Sequence, residues 1–381
     1  MRLDPGGTEK IPWARPSVGD EELAEVIDCF KSGWLSQGPR VERFEHEMAK
    51  RAGRQHAVAV SNGTAALDLA VRAAGVMPGD EVIVPALSYL ATASVLVIQG
   101  ARPIFVDIDP RNLGLSPDLT AAAITPRTKA VLCTDHGGNP SDLQRLAEVC
   151  DDHGIPLILD GAQSIGASLH GRPCLSYGYL STTSFHAAKT ITTIEGGMLF
   201  TDDAQVARRL RIMRSQGEDP DRKYFHVELG HNFRMTEMQA AIGLAQLRKL
   251  DDLLSNRRVI AARYTTELAP LGLGNPPGIA GAHNSHFLYT VIVPERDAVA
   301  ARLKSRGIET RACYPLPLYD QPIFAHLRAE RCPVTERVAA GILNPPMFFG
   351  LTAMQQKRVV RELREAIEAI APGEGGLRAA V

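Results

Sequence analysis

Short apolar runs recur through the N-terminal half of the chain and alternate with longer segments whose apolar residues fall at helical spacing. The runs His56–Val60, Glu81–Pro85, Arg102–Asp107, Lys129–Cys133, Pro156–Asp160, Tyr179–Phe185 and Gly196–Thr201 read as strands. Between them lie helices such as Thr64–Ala74, which Gly75 closes as a C-terminal cap. Strand and helix in alternation describe an α/β fold around a mainly parallel sheet. Ligands of such sheets collect at the carboxyl ends of the strands, and Ser61, Asp160 and Ser184 all fall at or near such ends.

The texture changes further on. A long helix is expected from Thr236, where Thr236 and Gln239 form a capping-box pattern and Ile242, Leu247, Leu250 and Leu254 follow at helical spacing. It ends the large unit, residues 1–255. From Asn256 the chain reads as a helix, a Pro/Gly-rich turn over Gly272–Gly278, the strand Phe287–Val293, the helix Asp297–Arg306 and a closing helix Ala353–Ile370. This is an α+β unit of its own, residues 256–371. The Gly/Ala-rich tail, 372–381, is expected to be disordered.

Length and charge narrow the class. With 381 residues the chain exceeds the roughly 250–300 at which single cores stop growing, so a second domain is expected. Lys and Arg number 42 against 43 Asp and Glu, which gives no reason to expect nucleic acid or an anionic membrane as partner. The six cysteines are scattered without close pairs, suiting neither a zinc site nor a disulfide framework. His283 and His286 are close but lack a third ligand, so no metal is expected. The N-terminus has no apolar core of a secretion signal, and no run approaches the roughly 20 residues that span a bilayer. A cytoplasmic location follows as the expectation.

Two residues suggest a chemistry. Lys189 lies between an apolar-aromatic strand end, Ser184-Phe185, and a Glu195-Gly196-Gly197 turn, whereas lone lysines elsewhere are solvated surface residues. Asp160 ends an apolar strand; it either caps the following segment or serves a buried cationic partner. A lysine amine can hold an aldehyde cofactor as a Schiff base, and a buried carboxylate can keep a pyridine nitrogen protonated. Together they match the two ends of a pyridoxal phosphate site. Ser61-Asn62-Gly63-Thr64 joins a strand to a helix and offers free N–H groups to an anion, although Asn-Gly is also a common turn and Thr a common cap. No nucleophile elbow, Walker loop, dinucleotide fingerprint or His-Glu-x-x-His helix is present.

From Ile11 to Ile370 the chain resembles the DegT/DnrJ/EryC1/StrS family of pyridoxal phosphate enzymes, sugar aminotransferases of the type I aminotransferase fold. Five stretches carry the resemblance: Ser32-Gly33-Trp34 to Gly38-Pro39 with Phe44-Glu45; Ser61 to Leu67; Pro78-Gly79-Asp80-Glu81-Val82-Ile83; Gly100–Asp109; and Gly230-His231-Asn232-Phe233-Arg234-Met235-Thr236-Glu237. The resemblance implies a large domain with a mainly parallel seven-stranded sheet flanked by helices, and a smaller α+β C-terminal domain. It implies that Lys189 carries the cofactor, that Asp160 pairs with the pyridine nitrogen and that Gln163 contacts the phenolic oxygen. Gly63, Thr64 and Ser184 match phosphate contacts, and Tyr89 the aromatic stacked on the ring. Asn232 matches the residue that reaches the phosphate of the neighbouring subunit, so a homodimer with shared sites is implied.

The reaction implied is ping-pong amino transfer, through pyridoxamine phosphate, from an amino acid such as L-glutamate to a keto group of a nucleotide-linked 4-keto or 3-keto deoxysugar. Family members that act as 3-dehydratases carry histidine where this chain has Lys189. A non-nucleotide cyclic ketone as acceptor, a sugar dehydratase and a non-catalytic member of the fold remain the alternatives. Departures from the family pattern concern the substrate: Asp135-His136-Gly137-Gly138 replaces a His-Leu-Tyr-Gly-like segment, Ile194 stands where a glycine is usual, and Cys313 stands where histidine is common. His186, Arg311 and Tyr314 are candidate substrate contacts, with Arg311 either taking a diphosphate or donor carboxylate or lying on the surface.

Overall fold

The computed structural model describes residues 10–327 and 329–370. Its main sheet has seven strands in the order His56–Val60, Gly197–Thr201, Leu180–Ser184, Leu157–Asp160, Thr128–Thr134, Glu81–Pro85 and Arg102–Val106. All run parallel except Gly197–Thr201, which is antiparallel to both its neighbours. Each of the seven apolar runs forms one of these strands, with ends within about a residue of expectation.

Side chains alternate between two cores. Ala57, Ala59, Val131, Leu157, Leu159 and Phe200 face one side, where the helices Pro39–Ala52 and Glu237–Arg248 cover them. Val58, Val60, Val82, Val84, Leu132 and Ile158 face the other, under Gly63–Ala73 and Ala91–Ile98. Strands buried on both faces have no solvent side, which is why their sequences read as unbroken apolar runs. A third core gathers Ile260, Tyr264, Tyr289, Val291, Phe348 and Leu363 around the C-terminal helix Ala353–Ile370.

Two elements differ from the sequence expectation. The helix opened by Thr236 has its capping box, yet it ends at Arg248, and a second helix, Leu250–Leu268, begins after Lys249. The break has a tertiary cause: Lys249 Nζ pairs with Glu22 at 2.7 Å, and Gln246 Nε2 donates to Glu22 and to the Ser17 carbonyl. Residue 255 therefore lies inside a helix, whose first turns join the sheet core through Leu250, Leu253 and Leu254 while Ile260, Tyr264 and Leu268 join the third core. The expected strand Phe287–Val293 is regular only at Val291–Ile292, because Leu288 gives its N–H to the carbonyl of Gly137 and Thr290 to Asn275 Oδ1 instead. The expected tail lies outside the described residues.

Candidate active site

The carboxyl ends of the strands open into a cavity of about 930 Å³. Gly63, Thr64, Tyr89, Asp160, Gln163, Ser184, His186, Lys189, Arg311 and Tyr314, drawn from well-separated parts of the chain, all line it. Among the residues singled out from the sequence, Asn232 does not line this cavity; it is exposed, in an antiparallel bridge with Ser215.

Asp160, the last residue of its strand, is 9% exposed. Its carboxylate accepts from Thr92 Oγ1 at 3.0 Å and from the Ala162 N–H at 3.2 Å, and Ser88 Oγ lies 2.7 Å from the Thr92 hydroxyl. Burial pushes the Asp160 carboxyl above its usual range, opposed by those bonds and by the Lys189 charge. Lys189 sits on the loop between Leu180–Ser184 and Gly197–Thr201, a loop closed by the Phe185 N–H to the Gly196 carbonyl and the Thr193 N–H to the Phe185 carbonyl. Burial holds the Lys189 amine below its ordinary value, with Asp160 pulling the other way. Each group is thus driven toward its neutral form by desolvation and back by its partner.

The helix Gly63–Ala73 begins at the cavity wall, with Asn62 as its cap accepting from the Ala65 N–H at 2.8 Å. The N–H groups of Gly63 and Thr64 open the helix and have no carbonyl above them within it. A Cβ on Gly63 would lie 2.9 Å from Ser184 Cβ, so glycine is what allows this turn and the Ser184 hydroxyl to share one wall. Free N–H groups, two hydroxyls and a helix dipole make an anion site of phosphate size.

The unusual segment Asp135-His136-Gly137-Gly138 fixes the opposite wall. Gly137 donates its N–H to Gln163 Oε1 at 2.7 Å, while Gln163 Nε2 donates to the Tyr314 hydroxyl at 3.3 Å, which settles the orientation of that amide. His136 Nε2 donates to the Cys313 carbonyl at 2.6 Å, its ring edge-on to Tyr314. Burial pushes His136 down to about 4 and Asp135 up to about 6. Tyr89 is 60% exposed at the mouth, 5.9 Å from the Tyr314 ring. His186 and Glu195 face each other at 3.8 Å at the rim. Arg311 lies 5.6 Å from the Trp13 ring. Asp135 and His136 were marked from the sequence only as a departure from the family pattern, without a role, and Thr92 and Ser88 were not singled out, since only an apolar strand ending in polar residues marks their place.

These residues fit pyridoxal phosphate. One end of the cavity holds a helix start suited to a phosphate, another a buried carboxylate with a free lone pair for a pyridinium, and between them stands a lysine amine whose ionisation burial disfavours.

The model of the DegT/DnrJ/EryC1/StrS aminotransferase family matches residues 16–364. GDP-perosamine synthase of Caulobacter vibrioides is 38% identical over 366 residues, covering 94% of this chain and 98% of that protein. The dTDP-4-dehydro-2,3,6-trideoxy-D-glucose 4-aminotransferase of Saccharopolyspora spinosa is 36% identical over 373 residues, covering 93% and 96%. Among solved structures, the Streptococcus pneumoniae protein Spr1654 in its PLP form superposes with a TM-score of 0.90 at 27% identity, covering 95% of this chain and 99% of that one. The chain belongs to the DegT/DnrJ/EryC1/StrS family; it is an aminotransferase of the type I fold, and its cofactor is pyridoxal phosphate.

Proposed function

We propose that this aminotransferase carries an amino group from L-glutamate to the keto carbon of a nucleotide-linked deoxysugar, at the 4-position, and works as a cytoplasmic homodimer. The convergence of Lys189, Asp160 and the Gly63–Thr64 helix start on one cavity carries the reading. The 4-position is favoured by the names of the two relatives, one a perosamine synthase and one a 4-aminotransferase. No helix among the described residues is long and apolar enough to cross a membrane.

When bound here, pyridoxal phosphate supplies an aldehyde that takes up an amino group and a ring that accepts electrons. Lys189 is the residue to which it attaches. With its amine free, Lys189 would be the base that moves the proton of the donor carbon within the site. Asp160, braced by Thr92, keeps the proton on the pyridine nitrogen. Gln163, oriented by Gly137, meets the phenolic oxygen. Gly63, Thr64 and Ser184 hold the phosphate, joined by Asn232 of a second copy, and Tyr89 covers the ring. His186, Arg311 and Tyr314 face the substrate. A dehydratase reading is disfavoured, since lysine occupies position 189.

Half-reactions test this. Adding L-glutamate should convert the visible band of the protein to that of the amine form, and a GDP- or dTDP-linked 4-keto sugar should restore it. If glutamate converts the band and no nucleotide keto sugar restores it, the acceptor is wrong. Lys189→Ala should lose the band chemistry and turnover while keeping the fold.

A further inference from the structure

The Lys189 ammonium lies 4.7 Å from the centroid of the Phe287 ring, and Phe287 is 7% exposed. We propose that Phe287 is the seat of the Lys189 side chain while its amine is free, a positioning residue that keeps the lysine in reach of the reacting carbon. The inference rests on the reading of Lys189 as the residue that carries the cofactor.

A lysine that alternates between bonded and free states has a mechanical problem. Its four-carbon stem is flexible, and a released ammonium is strongly hydrated, so without a resting place it samples many rotamers and moves toward water. An aromatic face attracts that ammonium through the ring quadrupole without forming a bond that must later be broken, and more strongly in a desolvated wall. It offers no acceptor for the ammonium protons and no donor that would compete for the lone pair of the free amine.

Three observations show that the ring is held for this position. The segment carrying it gives the Ser285 N–H to the Gly138 carbonyl at 3.0 Å and the Leu288 N–H to the Gly137 carbonyl at 3.1 Å. Gly138 has φ +84, and a Cβ there would meet Ser285 Oγ at 2.1 Å and the Gln163 carbonyl at 2.9 Å, so this close approach needs glycine. Behind the ring, Arg257 donates from Nη1 to the carbonyls of His286 and Phe287 at 3.2 and 3.1 Å, and its guanidinium lies 5.9 Å from the same ring. One Gly-Gly pair therefore orients Gln163 toward the site and Phe287 toward Lys189. The charged and titratable groups around the amine are Asp160 at its strand end, Cys313 and Tyr314 on the facing segment, Arg257 behind Phe287, His136 beside Tyr314, and His186 on the lysine's own loop.

The test compares Phe287→Leu and Phe287→Met, which keep an apolar filling and remove the ring, with Phe287→Tyr, which keeps a ring. In the cofactor-free protein, labelling of Lys189 by an amine-directed acylating reagent, followed peptide by peptide across pH, reports its ionisation. The ring-less variants should lower the Lys189 midpoint by about one pH unit. In the complete enzyme they should lower kcat about tenfold with KM for both substrates nearly unchanged, and Phe287→Tyr should restore both readouts. A folded Leu or Met variant with an unchanged labelling midpoint and unchanged kcat overturns the proposal. That outcome is separate from failure of the Lys189 assignment, in which Lys189→Ala would still attach the cofactor covalently.

Discussion

Thr92 donates a hydrogen bond from its hydroxyl to Asp160 across 3.0 Å, so the carboxylate at the end of one strand is braced by the helix that follows another. Thr92 is fully buried, and among the described residues no other group donates to that carboxylate oxygen. Thr92→Val keeps the shape and removes the donor. A hydrogen bond to a charged group contributes roughly 1.5–3 kcal/mol, so cofactor retention should weaken by about tenfold or more, with Asp160 pushed further up. Equilibrium cofactor binding measured from pH 6 to 9 checks this; wild-type affinity throughout would remove Thr92 from the site.

Gly63→Ala places a Cβ 2.9 Å from Ser184 Cβ, at the helix start that faces the phosphate. The turn must move by a few tenths of an ångström, and both free N–H groups with it. The expected result is cofactor affinity reduced roughly tenfold or more with only a modest loss of stability. Inorganic phosphate competition against cofactor binding should weaken in parallel.

Ile194 adopts φ +72, a left-handed conformation in which a β-branched residue is strained. The same residue is 62% exposed, so little packing offsets the strain. Ile194→Gly should stabilise the protein by about 0.5–1 kcal/mol, the strain relief of ~1–2 kcal/mol being partly offset by the entropy of glycine in the unfolded chain. Urea denaturation reads the sign directly, and a destabilised variant would contradict it.

Stability should respond to pH through buried groups of opposite sense. Asp135 is held up at about 6, so between its ordinary value and 6 the folded protein keeps a proton that the unfolded chain has lost, and stability falls as pH rises through that window. His136 and His286 are held down at about 4, so between 4 and their ordinary value the unfolded chain keeps protons that the folded protein has lost, and stability rises with pH. Asp135→Asn removes the falling contribution. The climb in stability from pH 4 to 6.5 should then steepen, by an amount on the order of 3 kcal/mol at most. Denaturation midpoints across that range decide it, and parallel profiles for the two proteins would refute the shift at Asp135.

A shared site makes a subunit-mixing prediction. Lys189→Ala and Asn232→Ala chains, each impaired alone, should regain activity when unfolded together and refolded, approaching about a quarter of the wild-type level because half the dimers then contain one complete site. Activity no greater than the sum of the separate proteins would place Asn232 outside its neighbour's site.

The sheet was legible because its strands are buried on both faces and bounded by turn residues, so local sequence and final environment agree. The Thr236 cap was legible for the same reason: its partner Gln239 is three residues away. The break at Lys249 was not, since neither glycine nor proline marks it and its cause, Glu22, lies far off in the chain. The strand expected at Phe287–Val293 failed likewise, through bonds from Leu288 to Gly137 and from Thr290 to Asn275. At the site, Lys189 and Asp160 stood out as polar residues at apolar strand ends. Thr92 did not, and His136 stood out only as a departure from the family pattern, because their roles exist only once separate strands lie side by side.

The helix Leu250–Leu268 begins in one apolar core and ends in another. A rod anchored at both ends transmits damage as readily as it transmits order: loosening either core withdraws support from the other. The two halves should therefore lose structure together, in one cooperative melting event, and a lesion far from the cavity, in the packing around Tyr264, should be felt at Lys189 through Arg257 on the same rod.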